Sequence, residues 1–464
     1  MSKWIKYVVI FEAIRKPFEM KVRCWVFFFL FNFWAFQAQE GFRLLPQQTR
    51  IEIPFQLINN LIFIPISVNG VVLNFLLDTG VEETILFSLD DKKELNLLNV
   101  DKVMLRGLGS DEAIEGLKST NNRLFVNGFL AEKQLLYIIL DQKFNLSSHI
   151  GILVNGIIGA PFFKNGLIEM DYIKKKIFVT KPNVKYQRAL EKKFTRIPIS
   201  IENAKPYFIS KVKIDSTLRD SKMLIDLGNS DAIWVFQENT HNIKVPSKHF
   251  DDFLGKGFSG DIEGKRAKIR ALQMATFEFK APIVAFPDAS SLKHVKMVAN
   301  RVGSVGAEIF RRFKVVFDYQ NGQMYLKKNA NFNSHFKYNR TGIEIEQNGL
   351  RWVEDYVKLE STLLNPRSAI DPEPRNVLIR NSYKYKFELK PNYFISNIRK
   401  KSVAEKTGLQ VGDEIISIDG TSVFKYSLQK INSLFRAEEQ QQMTVVVLRD
   451  QTELKFSFTL ENEL

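Results

Sequence analysis

Two aspartates stand in matching surroundings. Asp78 closes the apolar run of "NFLLDTGVEETILFS" (Asn74–Ser88), and Asp226 closes that of "MLIDLGNSDAIWVF" (Met223–Phe236), 148 residues later. A carboxylate at the end of an apolar strand is costly unless it is hydrogen-bonded or partly protonated. Two of them at about 3 Å share one proton, because like charges that close cannot both ionise. A water between them then has a base on one side and an acid on the other. Such a pair hydrolyses an amide with no metal, cofactor or thiol. The five histidines (149, 241, 249, 294 and 335) form no HExxH-type pair, and there is no G-x-S-x-G elbow. The glycine of each Asp-x-Gly is expected to let the backbone turn sharply and to offer N–H groups to the carboxylate.

What must position these residues is written twice. Gly159 lies 81 residues after Asp78 and Gly306 lies 80 after Asp226, and each is followed twelve residues on by Asp-Tyr (Asp171-Tyr172, Asp318-Tyr319). Gly156 and Gly303, and Phe163 and Phe310, share one offset of 147 residues. Upstream, Pro54 and Pro198 stand 24 and 28 residues ahead of their aspartates. This order of coincidences predicts a duplicated domain of roughly 145 residues. Short Val/Ile/Phe/Leu runs broken by Gly, Asn and Asp predict that both copies are mainly β.

"LLDTG", the matching "LIDLG", and the downstream "IIG" and "SVG" resemble the two lobes of a pepsin/retropepsin-type aspartic protease. The resemblance covers roughly residues 48–330. It implies catalytic roles for Asp78 and Asp226, one per lobe, in one cleft of a monomer acting on peptide or protein substrates. It implies loop support from Thr79, Gly80, Leu227, Gly228 and Ser230, with Gly159 and Gly306 packed against the loops. It also implies a Gly-rich flap. Gly107, Leu108, Gly109 and Ser110, within "RGLGSDEAIEG", are the favoured candidate, and the second copy offers "GKGFSGDIEGKRAK". The second motif departs from the family: Leu227 stands where a Thr or Ser hydroxyl would bond across the lobes. Thr79 can still make its half, and Ser230 is a candidate to compensate. The alternative that follows from Leu227 is a weak or inactive protease-like protein that binds peptides without cutting them.

From Tyr393 the text changes. A strand is expected over Tyr393–Ile398, a short helix capped by Ser402 and stopped by Gly408, a second helix over Ser427–Arg436, and a closing hairpin. Ser402-x-Ala404-x-x-x-Gly408-Leu409-x-x-Gly412-Asp413-x-Ile415 with Ile418-Asp419-Gly420 resembles the PDZ family of bacterial proteases. The resemblance implies a small β-sandwich with two helices, and a groove that adds a peptide as a strand. Its expected lining is Tyr393, Phe394, Ile395, Leu428 and Ile431. Residues 341–353 are expected to add an early strand, which makes about 354–386 an insertion within a module of 341–464. The lobes are expected at 48–185 and 190–330.

At 464 residues two or three domains are expected. A hydrophobic content of 45% and a charged content of 25% are globular values. The net charge of +15 comes with no block of five or more like charges, so it reads as a solvated basic surface rather than a nucleic-acid site. After Met20-Lys-Val-Arg, "CWVFFFLFNFWAF" runs thirteen residues without a charge. That is short for a membrane span and suits the core of a signal peptide from about Met20 to Ala38 within residues 1–38. An exported protein is expected (periplasmic, cell-surface or secreted), without a membrane span after cleavage. The one cysteine, Cys24, lies inside that segment, which leaves no thiol for a disulfide or a nucleophile.

Overall fold

The computed structural model describes residues 41–87, 94–105, 114–140, 145–237, 243–257, 260–293, 295, 297–358 and 383–464. The chain is mainly β. Among the described residues, strands assemble into four sheets of nine, six, ten and six strands.

The two copies are built alike around their aspartates. In the first, strand β1 (Val71–Leu77) lies parallel to β2 (Gly156–Ile158), and β3 (Leu167–Asp171) follows. In the second, β4 (Leu218–Asp226) lies parallel to β5 (Arg301–Gly306), and β6 (Phe313–Asp318) follows. Each aspartate therefore leaves the sheet beside the end of a strand that returns from far along the chain. The glycines make this approach possible. A Cβ on Gly156 would stand 2.3 Å from the Ile85 carbonyl, and one on Gly303 would stand 1.9 Å from that of Trp234.

β3 and β6 are the seam between the copies. They pair antiparallel, Ile168 opposite Phe317 and Asp171 opposite Lys314, inside a six-stranded sheet to which both copies contribute. Lys314 Nζ lies 2.7 Å from Asp171 Oδ2 and 3.3 Å from Glu169 Oε1. The repeated Asp-Tyr is a turn device: Asp171 accepts the Lys174 N–H at 3.0 Å, and Asp318 that of Asn321 at 3.2 Å. The core runs through this seam. Phe163, Met170, Val315, Phe317, Ile225 and Leu227 belong to one buried cluster that spans both copies.

The C-terminal module has its own core, built from Ile343, Tyr393, Ile395, Ile415, Leu428, Ile431 and Val445 among others. Strand β7 (Ile343–Lys358) pairs antiparallel with β8 (Tyr383–Ile398) along nearly their whole lengths. Residues 354–358 and 383–386, expected to lie in an insertion, thus extend this strand pair. The helix Val403–Thr407 is capped by Ser402 and stopped by Gly408 at φ +95°. A second helix, which we call α2, runs Leu428–Phe435 after its cap Ser427; α1 denotes Leu146–Ile150 of the first copy. No described helix is long and apolar enough to cross a membrane.

Candidate active site

The structure brings Asp78 and Asp226 together. Asp78 is 9% exposed, and its Oδ1 accepts the N–H of Gly80 at 2.7 Å and that of Gly228, from the other copy, at 3.1 Å. A Cβ built on Gly80 would stand 3.1 Å from Asp78 Oδ1 and also 3.1 Å from Asp226 Oδ1, so these oxygens lie no more than twice that distance apart. The glycines offer their N–H groups to the carboxylate as expected, but a left-handed turn is not what requires them. Neither Gly80 nor Gly228 has positive φ. Each is required because the carboxylates lie against its backbone: a Cβ on Gly228 would sit 2.2 Å from Asp78 Cγ.

The later glycines press on the loops from behind. A Cβ on Gly159 would meet the Val81 carbonyl at 2.1 Å, and one on Gly306 that of Asp231 at 2.2 Å. Backbone bonds from Ala160 N to Val81 O (3.0 Å) and from Ala307 N to Asn229 O (2.8 Å) fasten each loop to its returning strand.

Burial raises the pKa of both carboxylates. Asp226 is pushed up to about 7, first by burial and then by the negative charge of Asp78. On Asp78 the two glycine N–H donors and Lys205 work against burial. Arg301, Lys205 and the Asn229 N–H oppose the rise on Asp226. The two N–H bonds that Asp78 accepts favour the negative charge of the pair there and the proton on Asp226.

Thr79 is fully buried and joins the two copies. Its Oγ1 donates to the Ile225 carbonyl at 2.6 Å and accepts the Leu227 N–H at 3.1 Å. Leu227 is 1% exposed and packs in the shared core. Ser230 lines the cleft, and the bond it makes is through its carbonyl, which accepts Asn60 Nδ2 at 2.9 Å. It does not replace the missing hydroxyl.

The favoured flap residues, Gly107 to Ser110, lie outside the described residues. The hairpin of the second copy, His249–Gly257 with Gly260–Lys268, does line the cleft, through Phe253, Leu254, Lys256 and Arg266. Sequence reasoning did not single out Lys205 or Arg301, whose charges both act on Asp226. A lone basic residue in a strand carries no signal of where its tip points.

The cleft has a volume of about 1510 Å³ and is lined also by Asn339 and by Glu344, Ile345, Asn432 and Arg436 of the C-terminal module. Residues 394–449 match the family model of the PDZ domain. The aspartic proteinase from Irpex lacteus has a similar structure, at 12% identity and a TM-score of 0.39, covering 61% of this chain and 99% of that one. No curated protein matches the sequence.

The PDZ domain requires a correction to the expected groove. β8 cannot accept a peptide strand over Tyr393–Ile398: it pairs with β7 on one side, and on the other Phe394 pairs with Glu414 and Ile395 N bonds to Asp413 O at 2.9 Å. Tyr393 and Ile395, like Leu428 and Ile431, are core residues at 2% exposure or less. The edge strand beside α2 is β7, and α1 of the first lobe lies against both. A Cβ on Gly151, the α1 C-cap, would stand 2.7 Å from Leu428 Cβ, and His149 Nε2 is 3.6 Å from Glu346 Oε2. The chain's own helix thus covers the place where a peptide would be added.

An ionic chain ties this domain to the second loop. Asp231 Oδ1 accepts Arg266 Nη1 at 2.8 Å, and Arg266 Nε donates to Asp252 at 2.5 Å. Arg399 of the PDZ domain reaches Asp252 at 3.5 Å and Glu463 at 2.7 Å, over the Phe250 ring at 4.1 Å.

Proposed function

We propose that this protein is a monomeric aspartic endopeptidase that hydrolyses peptide bonds with water activated between Asp78 and Asp226. The observation that carries this reading is the cross-lobe cradle of Asp78, whose carboxylate takes one N–H from its own loop and one from Gly228 of the other lobe. The ionised Asp78 is the base that takes a proton from water as it attacks the carbonyl carbon. Protonated Asp226 is the acid that meets the developing oxyanion. The proton then passes to the leaving nitrogen as the C–N bond breaks, and the pair is left with one proton, as it began.

The PDZ domain lines part of the cleft, and binding a peptide on β7 requires α1 to move aside. The apolar run 24–36 supports export. A second reading, peptide capture without cleavage, is favoured by Leu227 alone, since only one of the two cross-lobe hydroxyls is present. Incubating the purified protein with an unfolded protein substrate between acid and neutral pH, with products read by mass spectrometry, separates the two. Discrete internal cuts support the peptidase, and intact substrate retained on the protein supports the capture reading.

A further inference from the structure

Arg301 is the cation in this cleft whose position is hardest to explain by the fold. It begins β5, opposite Lys222 of β4, and the pairing then shifts so that Met223 meets Gly303. Val302 is the extra residue of a β-bulge. Its side chain joins the core, as does that of Val305, while Ser304 lines the cleft. Simple alternation would put Arg301 on the core side with Val305. The bulge turns it onto the face of Ser304, and it does line the cleft.

Asp226 and Tyr207 act on it through space, but no acid closes an ion pair with it. Arg301 Nε donates to the Gly303 carbonyl at 3.1 Å, and the guanidinium carbon stands 5.0 Å from the centre of the Phe236 ring. Among the described residues no carboxylate makes an ion pair with it. Asp226 is occupied with Asp78, and two further acids of the cleft region are taken by other cations: Glu202 by Lys222 at 2.8 Å, and Glu82 by Lys205 at 3.2 Å. Ser304 Oγ, buried on the same wall, has no hydrogen-bond partner. Burial pulls the pKa of Arg301 down, against the opposing influence of Tyr207 and Asp226, so the cation is held largely away from water. A half-buried guanidinium with free N–H groups facing a cleft is built for a carboxylate.

We propose that Arg301 forms a carboxylate-binding subsite on the second-lobe wall, so that peptides taken by this cleft place an acidic side chain or their C-terminal carboxylate there. The proposal rests on the reading of the cleft as a peptide site. It does not require that the peptide be cut.

The test is therefore a binding measurement on the full chain carrying Asp78→Asn. Fluorescence anisotropy is recorded with matched peptides that differ only by Glu or Gln at each position, and with C-terminal acid or amide. Glu at one position, or the terminal acid, is expected to tighten binding about tenfold over its neutral partner. The two sets tell side chain from terminus. Arg301→Gln should remove the preference, and Arg301→Lys should keep part of it. Should Arg301→Gln fail to fold, the parent protein still decides, because its preference must shrink as salt is raised. Equal binding of every Glu/Gln and acid/amide pair, or an undiminished preference in folded Arg301→Gln, overturns the subsite. If the chain with Asp78 intact cuts nothing while the Asp78→Asn chain prefers the acidic peptide, the peptidase is contradicted and the subsite upheld; cleavage by the intact chain without that preference does the reverse.

Discussion

Thr79 and Leu227 are joined across the lobe interface by a single hydrogen bond of 3.1 Å, from the Leu227 N–H to the Thr79 hydroxyl. Leucine has no hydroxyl to return, so the two loops are fastened from one side only. Thr79→Val should be severe, because it strands two buried backbone groups, the Ile225 carbonyl and the Leu227 N–H, at about 2 kcal/mol or more of stability. Loss of registration between the loops should lower kcat/KM about a hundredfold. Leu227→Thr should not be its mirror image. Leu227 lies in the shared core, so the change costs about 1–3 kcal/mol and does not raise activity. Thermal melts beside kcat/KM values check both, and a Leu227→Thr protein that cuts faster would show a hydroxyl site that packing now conceals.

Gly228→Ala should abolish cleavage while leaving most of the fold. A Cβ would stand 2.2 Å from Asp78 Cγ, so the carboxylate must leave its place over the loop. Loss of at least a hundredfold in kcat with a modest fall in melting temperature is expected. Activity near that of the parent would mean that Asp78 does not work from this position.

The pH dependence follows from the proton on Asp226. With its pKa at about 7, cleavage should fall tenfold per unit as pH rises above that value, because the pair becomes doubly ionised. Arg301 holds this pKa down, so Arg301→Gln should move the alkaline limb upward. The linked stability has a definite sign. A carboxyl whose folded pKa is raised stabilises fully below its unfolded value of 3.8, and that contribution is lost as pH rises through about 7. Asp226→Asn should therefore melt higher than the parent at pH above 7, by an amount that vanishes in acid. Melts across pH that keep a constant difference would place the raised pKa elsewhere.

The PDZ domain should be coupled to the cleft through Arg399, whose side chain is 2% exposed. Arg399→Met leaves Glu463 and one side of Asp252 unpaired, at about 3 kcal/mol. It should loosen the domain from the second lobe, with limited proteolysis in the linker before Ile343. On the first lobe, Gly151→Val should drive α1 off Leu428 and raise the affinity of β7 for added peptides. A Gly151→Val protein that binds no more peptide than the parent would show that α1 does not guard that edge.

Much of this was legible in the sequence, and the reasons are physical. The duplicated Asp-x-Gly and distant Gly could be read because each marks a place where only one residue type fits, whether a carboxylate cradled by N–H groups or a strand pressed against a carbonyl. Ser402, Gly408 and Ser427 likewise announced their helices. The PDZ groove was misplaced because 393–398 and 341–353 are both strands by pattern, and which one lies at the edge depends on pairing. Arg301 was invisible because a one-residue bulge at Val302 decides its face, and a bulge leaves no mark in a run such as "NRVGSVG".

The most direct test of the shared-proton pair is a double-mutant cycle on peptide cleavage at mildly acidic pH. Rates are measured for the parent, Asp78→Asn, Asp226→Asn and the double variant, each checked for a native melt. Groups that act as one unit are strongly non-additive. Each single variant should lose about a thousandfold or more, and the double variant should be no worse than either. Substantial cleavage by either folded single variant, or losses that simply multiply in the double, would contradict a proton shared between Asp78 and Asp226.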